Sequence, residues 1–371
     1  MTNRERISAI LHYHSYDRMP IVHFGFWPET IEKWVQEGHI SAELGKDVYD
    51  SSPNETKIAK KLGFDMNWSC CTAAENELFP KFEREVLEIR ADGSQIVRNQ
   101  YGVMELEKPG IVSIPSEIGH TLVDRTSWEK EFLPRLQFTN DRIDTAHFSA
   151  LADDTGRDNP IGFFVGSLYG RIRDWIGVEN LSYLYIDDES LYYEIIDTVG
   201  NLAYDCTKTV LATGAKFDYA HYWEDICFKN GPLVIPRVFY EKVGPHYRRI
   251  NQLLKDYGVD IVSLDCDGMI DTLIPAWIEN GVNTMFPIEV GTWNASIAPW
   301  REKYGRELRG VGGMNKTVFA RDYAAINQEI ERLKPLIALG GYIPCPDHRI
   351  APDAKWENVQ YYCEQMHHLC G

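Results

Sequence analysis

The stretch VDIVSLDCDGMID (259–271) sets an apolar run against two aspartates that flank a cysteine, then a glycine. The first six residues have no polar face of the kind a half-exposed strand carries, so they read as a strand buried on both sides. The aspartates then fall at its C-terminal end. Seven other runs share this character: MPIVHF (19–24), FDMNWS (64–69), IGFFVGSL (161–168), FDYAHY (217–222), VNTMFPI (282–288), LRGVGG (308–313) and GGYIPC (340–345). Segments of helical period lie between most of them. One starts at Asp188, carries Leu191, Ile195, Val199, Leu202, Cys206 and Val210 on one face, and ends at Gly214. Others are expected over about 240–257, 271–281, 294–305 and 322–339. Eight buried parallel strands alternating with helices predict a (β/α)8 TIM barrel, one domain spanning 1–371.

The stretch from about 71 to 160 breaks the rhythm. Within it EVLEIRADGSQIVRNQYGVMELEK reads as two or three antiparallel strands with Asp92-Gly93 at a tight turn, and Thr126-x-x-Glu129 resembles a capping box. An insertion after strand two belongs near the barrel mouth, where it could act as a lid.

Composition narrows the partners. The chain has 371 residues, 44% hydrophobic, enough for a large core, and its net charge is −17. So acidic a protein lacks the surface to neutralise nucleic-acid phosphates or hold an anionic membrane. The charged start MTNRERISAILHYHSYDRMP has no signal-peptide core and no later stretch is long and apolar enough to span a bilayer, so a soluble, cytoplasmic protein is expected. Eight irregularly spaced cysteines form neither a disulfide framework nor a zinc knuckle.

Barrel enzymes build their sites from the C-terminal strand ends. Those ends here supply Asn67 to Cys71, Glu75, the 166–169 segment, His221, Trp223, Glu224, Asp225, Asp265, Cys266, Asp267, Glu289, Met314, Asn315, Lys316, Cys345, Asp347 and His348. Alternate residues of an extended segment share a face, so Asp265 and Asp267 can converge while Cys266 points elsewhere. With Glu289 they make a three-carboxylate candidate for a metal ion or a shared-proton acid; Cys266 and Cys345 are weaker ligand candidates. The competing reading makes Asp267-Gly268 a turn and Asp271 a helix cap. His221 and His348 are catalytic candidates against the alternatives of a core histidine and a surface pair, and Glu224 joins the catalytic set. Trp27, Trp68, Tyr169 and Trp223 are placed to line an aromatic pocket.

The motifs DRMPIVHFG, YWED, NGPLVIPRVF, VSLDCDGMIDTLIPAWIENGVNTMFPIE, REKYGRELRGVGGMNK and GGYIPCPDH together resemble the uroporphyrinogen decarboxylase superfamily over nearly the whole chain. The resemblance implies a (β/α)8 barrel and, by analogy, a homodimer. The decarboxylases grip a polycarboxylate with an arginine-rich segment after strand one, where this chain has HFGFWPETIEKW and no arginine. Thiol methyltransferases of the superfamily bind zinc through His-x-Cys at strand five, where this chain has Asp265-x-Asp267. The resemblance therefore points to the corrinoid-dependent branch: an O-demethylase component that moves a methyl group from an aryl methyl ether to the cobalt(I) corrinoid of a partner protein, with zinc as a candidate ion. A decarboxylase or lyase of a smaller acid, a methylcobalamin:thiol methyltransferase and a non-catalytic binding protein are the alternatives.

Overall fold

The computed structural model describes residues 1–108 and 115–369. Among the described residues the strands in chain order are β1 Val22–His23, β2 Met66–Asn67, β3 Cys71–Ala73, β4 Glu85–Ile89, β5 Gln95–Arg98, β6 Val103–Glu107, β7 Ser116–His120, β8 Gly162–Gly166, β9 Tyr219–Trp223, β10 Cys227–Phe228, β11 Gly231–Pro232, β12 Val262–Asp265, β13 Thr284–Phe286, β14 Arg309–Met314 and β15 Tyr342–Pro346. Each of the eight apolar runs holds a strand. Seven strands form one parallel sheet in the order β15-β14-β13-β12-β9-β8-β3, β1 pairs in parallel with β2, and Phe26 forms a parallel bridge to Ile350. This order is compatible with a TIM-barrel-like α/β fold.

Strand two departs from expectation. It is split, with β2 facing β1 and β3 facing β8, and Trp68–Cys70 between them. The insertion accordingly starts after Ala73, and its core is a four-stranded antiparallel sheet, β4-β5-β6-β7; β4 to β6 are the three strands read from the 85–108 pattern, and β7 lies beyond it. The β4–β5 connection turns at Gly93, whose φ of 81° only glycine adopts cheaply. The capping box sits two residues earlier than expected: Asp124 accepts from the Ser127 amide at 2.7 Å, and Ser127 rather than Glu129 closes it.

Periodicity places the helices well. Helix Glu189–Ala212 is capped by Asp188, which accepts from the Leu191 amide at 2.9 Å, and buries all six predicted core positions. Burying each large aliphatic side chain contributes about 1.5–3 kcal/mol, which holds this helix on the sheet. Helices Gly244–Asp256, Ile274–Glu279, Ile297–Tyr304 and Tyr323–Ile337 fill the other predicted spans, with shorter ends. Asp271 does not cap its helix; it accepts from Trp300 Nε1 at 2.5 Å. Gly170–Ile176 and Val178–Asp187, after β8, were not legible as helices.

The insertion is tied to the sheet's C-terminal edge by Arg171. Its guanidinium lies between the rings of Tyr101 in the insertion, at 4.9 Å, and Trp223 at the end of β9, at 4.3 Å. It also pairs with Glu77 at 2.7 Å and Asp174 at 3.0 Å. Among the described residues no helix is long and apolar enough to cross a membrane.

Candidate active site

Register fixes which side chains face inward. Tyr222 on β9 donates to Asn251 of helix Gly244–Asp256 at 2.8 Å, so Tyr222 and its register partner Leu264 face the helices. The alternate residues His221 and Trp223, paired with Ser263 and Asp265, face the other side. There Trp68 Nε1 donates to Ser263 at 3.1 Å, and Phe286, register partner of Asp265, packs against Phe24 and His221.

At the C-terminal end of this inner face three carboxylates meet. Asp225, Asp265 and Asp267 each offer an oxygen, and these atoms lie within 4.8 Å of one another. Asp225 holds a left-handed φ of 47°, uncommon outside glycine, and its Oδ1 accepts from the Asp267 amide at 2.9 Å. Arg173 donates to the Asp225 carbonyl, which anchors that turn. Asp267 Oδ1 is buried with no protein partner, and Oδ2 lies 3.3 Å from His348 Nε2.

Two unit charges 4.8 Å apart at an effective dielectric of 20 repel by about 3.5 kcal/mol. Three ionised carboxylates so placed demand a cation or a proton. Their acidities follow: burial first, and Asp267 second, push Asp225 up to about 7. Burial, then Asp225 and Asp267, hold Asp265 well above the usual carboxylate range, while Arg349 pulls the other way.

Glu289 is not a member of this group. Its Oε2 accepts from the Gly268 amide at 2.5 Å and its Oε1 from Thr292 at 2.7 Å, so it braces the Asp267-Gly268 turn. Burial and the nearby Asp267 raise it. Asp225 takes the third place that the sequence reading gave to Glu289. Cys266 and Cys345 are buried and are not in the group. Asp347 accepts from the Gly291 and Lys316 amides at 2.7 and 3.1 Å and closes the ends of β13, β14 and β15 together.

Glu224 stands apart from the carboxylates and faces the helices. Fully buried, it accepts from Ser167 Oγ and the amides of Leu168, Tyr169 and Gly170 at 2.6–3.0 Å, and from the Tyr247 hydroxyl. Five donors leave it no capacity for a substrate; it shapes the turn after β8. His221 is 3% exposed, burial lowers it to about 3, and its Nδ1 has no protein partner. A neutral imidazole therefore lies beneath the carboxylates.

His348 stacks on Trp27, centroids 5.5 Å apart at 13°, with Phe24 at 5.3 Å. Of the four aromatic candidates, Trp27 lines this edge, and Trp223 lies there beneath Arg171. Trp68 is core, stacked on Tyr219, and Tyr169 hydrogen-bonds Tyr192 in the helix layer. Sequence reasoning also missed Arg349, which pairs with Asp50 at 2.5 Å beside Phe24. Lys316 donates to the Arg349 carbonyl at 3.1 Å, and burial lowers its pKa against the pull of Asp347, Asp267 and Glu289.

No family model and no curated protein sequence matches the chain. Its fold is similar to that of a methyltransferase from Methanosarcina mazei, with 15% identity, TM-score 0.58, and 99% of this chain and 98% of that one covered. A structure from Listeria monocytogenes described as a vitamin-B12-independent methionine synthase aligns with 96% of this chain and all of its own, at 14% identity and TM-score 0.44. At these identities the first likeness speaks for the fold.

Proposed function

We propose that the protein is a methyltransferase that moves a methyl group from a small methylated compound, an aryl methyl ether, to the cobalt(I) corrinoid of a partner protein. The observation that carries this reading is the convergence of half-buried Asp225 and Asp267 on buried Asp265, beside His348 and an aromatic wall. The methyltransferase of similar fold supports the same reaction class.

Breaking a methyl–oxygen bond leaves both bonding electrons on an oxygen whose conjugate phenol has a pKa near 10. Departure at neutral pH therefore needs a proton or an electrophile at that oxygen. The partner's cobalt(I) supplies the nucleophile for the methyl carbon. The open Asp267 oxygen and the mutual repulsion fit a divalent ion, and the all-carboxylate set suits a hard one such as Mg2+ or Mn2+ better than zinc. Such an ion would supply electrophilic assistance to the leaving oxygen. His348, oriented by Asp267 and by its stack on Trp27, holds a proton at Nε2 near the same place. Trp27 and Phe24 receive the ring.

The alternatives fit less well. Arg171, Arg173 and Arg349 are each paired with a carboxylate, so these guanidiniums are not free to grip a polycarboxylate. The carboxylate group contains no thiolate ligand of the kind thiol methylation uses.

The test is to mix the purified protein, Mg2+ or Mn2+ and reduced cobalamin with guaiacol-like ethers. Appearance of the methylated corrinoid spectrum with equimolar phenol is expected. Carbon dioxide release from small acids, with no ether cleaved, would replace this reading with a decarboxylase.

A further inference from the structure

A cleft of about 430 Å3 lies at the opposite end of the sheet from the carboxylates. Helices Gly244–Asp256 and Ile274–Glu279 wall it, together with the chain where it enters β12, β13 and β14, and buried Val259 and Val262 line its base. Arg248, Gln252 and Lys255 are spaced four and three apart, so they share the helix face that borders the cleft. Seven residues of helix set the two cations about 10 Å apart along its axis. Arg309, the first residue of β14, adds a third cation to the lining.

Among the described residues none of these three cations is ion-paired with a carboxylate, although the chain has 55 acidic residues to 38 basic. The carboxylates of the cleft are engaged elsewhere. Asp260 meets His12 Nε2 at 3.1 Å, and Glu279 accepts from the Tyr240 hydroxyl at 2.6 Å. Glu307 is exposed and offers Arg309 its carbonyl, at 3.3 Å, rather than its carboxylate. Two more guanidiniums stand beside Arg309: Arg301, Arg306 and Arg309 surround the Tyr13 ring at 5.2, 3.9 and 5.6 Å. Arg301 and Arg309 donate only to backbone carbonyls, those of Leu339, Gly340, Leu11 and Glu307. Cations beside helix C-termini gain about 0.3–1 kcal/mol each, which accounts for Lys255 in the last turn of its helix and for Arg301 and Arg309 on those carbonyls. It leaves Arg248, in the first half of its helix, with no partner.

We propose that this cleft binds a small phosphorylated molecule, with phosphate oxygens held by Arg248, Lys255 and Arg309. A phosphate brings two charges and three terminal oxygens to donors that come from a helix and a strand, where a carboxylate brings one charge and two oxygens. Guanidinium forks match phosphate oxygens in pairs. The volume is that of a small-ligand site. The net charge of −17 keeps anions off the remaining surface, so binding here is not general attraction. The site needs neither a metal ion nor a methyl donor at the carboxylates, and it stands whether or not the methyltransferase reading does.

The experiment titrates the full-length protein with inorganic pyrophosphate by calorimetry at constant ionic strength, in EDTA so that no divalent ion bridges the probe to the carboxylates. Saturable binding of one pyrophosphate per chain is expected, weakened at least tenfold in an Arg248→Gln/Lys255→Gln double variant. Both side chains are exposed and unpaired, so that variant should keep the wild-type Tm. Lys60→Gln/Lys61→Gln, an equal change of charge on another helix, should bind as the wild type does. Amide exchange over 248–255 and 278–283 should slow with the probe. Absence of saturable binding, equal weakening in both double variants, or affinity untouched by Arg248→Gln/Lys255→Gln would each overturn the proposal.

Discussion

Replacing Glu224 by glutamine separates a scaffold role from a catalytic one. The two side chains have the same shape, but the amide puts a donor where an acceptor stood. Oε1 receives the Leu168 amide and the Tyr247 hydroxyl, and Oε2 receives Ser167 Oγ and the amides of Tyr169 and Gly170. The least costly orientation turns the new NH2 toward Leu168 and Tyr247, because the tyrosine hydroxyl can rotate and accept. One buried amide, that of Leu168, is then orphaned at about 1–3 kcal/mol. Three charge-assisted bonds also become neutral, a loss of roughly 1 kcal/mol each. Release from burying a charge offsets part of this, so a net destabilisation of about 2–5 kcal/mol is expected. At about 2.1 cal/mol/K of unfolding entropy per residue, 371 residues lose roughly 1.3 °C per kcal/mol, so Tm should fall by about 3–6 °C. Differential scanning calorimetry measures it, alongside the rate of ether cleavage below the transition. A Glu224→Gln protein with wild-type Tm and no activity would refute the reasoning and return Glu224 to the catalytic set.

Three further outcomes are expected. Asp265→Asn and Asp225→Asn should abolish divalent-ion binding measured by calorimetry, whereas Glu289→Gln should retain it, because only the first two belong to the converging group. His348→Gln should slow methyl loss by about 10²–10⁴-fold for ethers of ordinary phenols, and much less for a nitro-substituted ether whose phenolate leaves without help; equal slowing of both would remove His348 as proton donor. His221, lowered to about 3 by burial, stays neutral in the fold while the unfolded chain takes up a proton below about 6.5. The unfolded state thus binds more protons between those values, stability rises with pH across that window, and it is lost toward acid. His221→Phe should flatten the wild-type slope by up to about 1.4 kcal/mol per pH unit there in urea titrations; an unchanged slope would mean that His221 titrates normally.

The strands of the eight runs were legible because a strand buried on both sides lacks a polar face; β3, β7, β10 and β11 fall outside those runs and carry no such pattern. The long helix after Asp188 was legible for the complementary reason: one cap, one stripe, one terminal glycine. Strand two was read as continuous although Trp68–Cys70 breaks it, since the break serves pairings on two sides, and no local pattern announces a strand that changes neighbours. The helices Gly170–Ile176 and Val178–Asp187 were obscured by Gly170 and Gly177. The first glycine is required by tertiary crowding: a Cβ at Gly170 would lie 1.9 Å from the Glu224 carbonyl oxygen.

The site shows where one available rule was applied too narrowly. Period-two alternation puts Asp265 and Asp267 together and turns Cys266 away. The same rule along His221–Asp225 groups His221, Trp223 and Asp225 on one face, with Tyr222 and Glu224 on the other. Tyr222 and Glu224 do both reach helix Gly244–Asp256, through Asn251 and Tyr247. Asp225 does meet Asp265 and Asp267. Asp225 lies two residues past β9 with a left-handed φ of 47°, so the turn held by Arg173 and the Asp267 amide, and not alternation alone, brings it there. What alternation lacked was Glu289: it follows one chain through a strand, whereas Glu289 lies beyond β13, where the chain turns to cap a short helix and spends its oxygens on Gly268 and Thr292. Past the strand ends, at Asp225, Asp267 and Glu289 alike, the contacts of each turn decide which carboxylates converge: Arg173 and the Asp267 amide hold the Asp225 turn at the group, whereas Gly268 and Thr292 take the oxygens of Glu289.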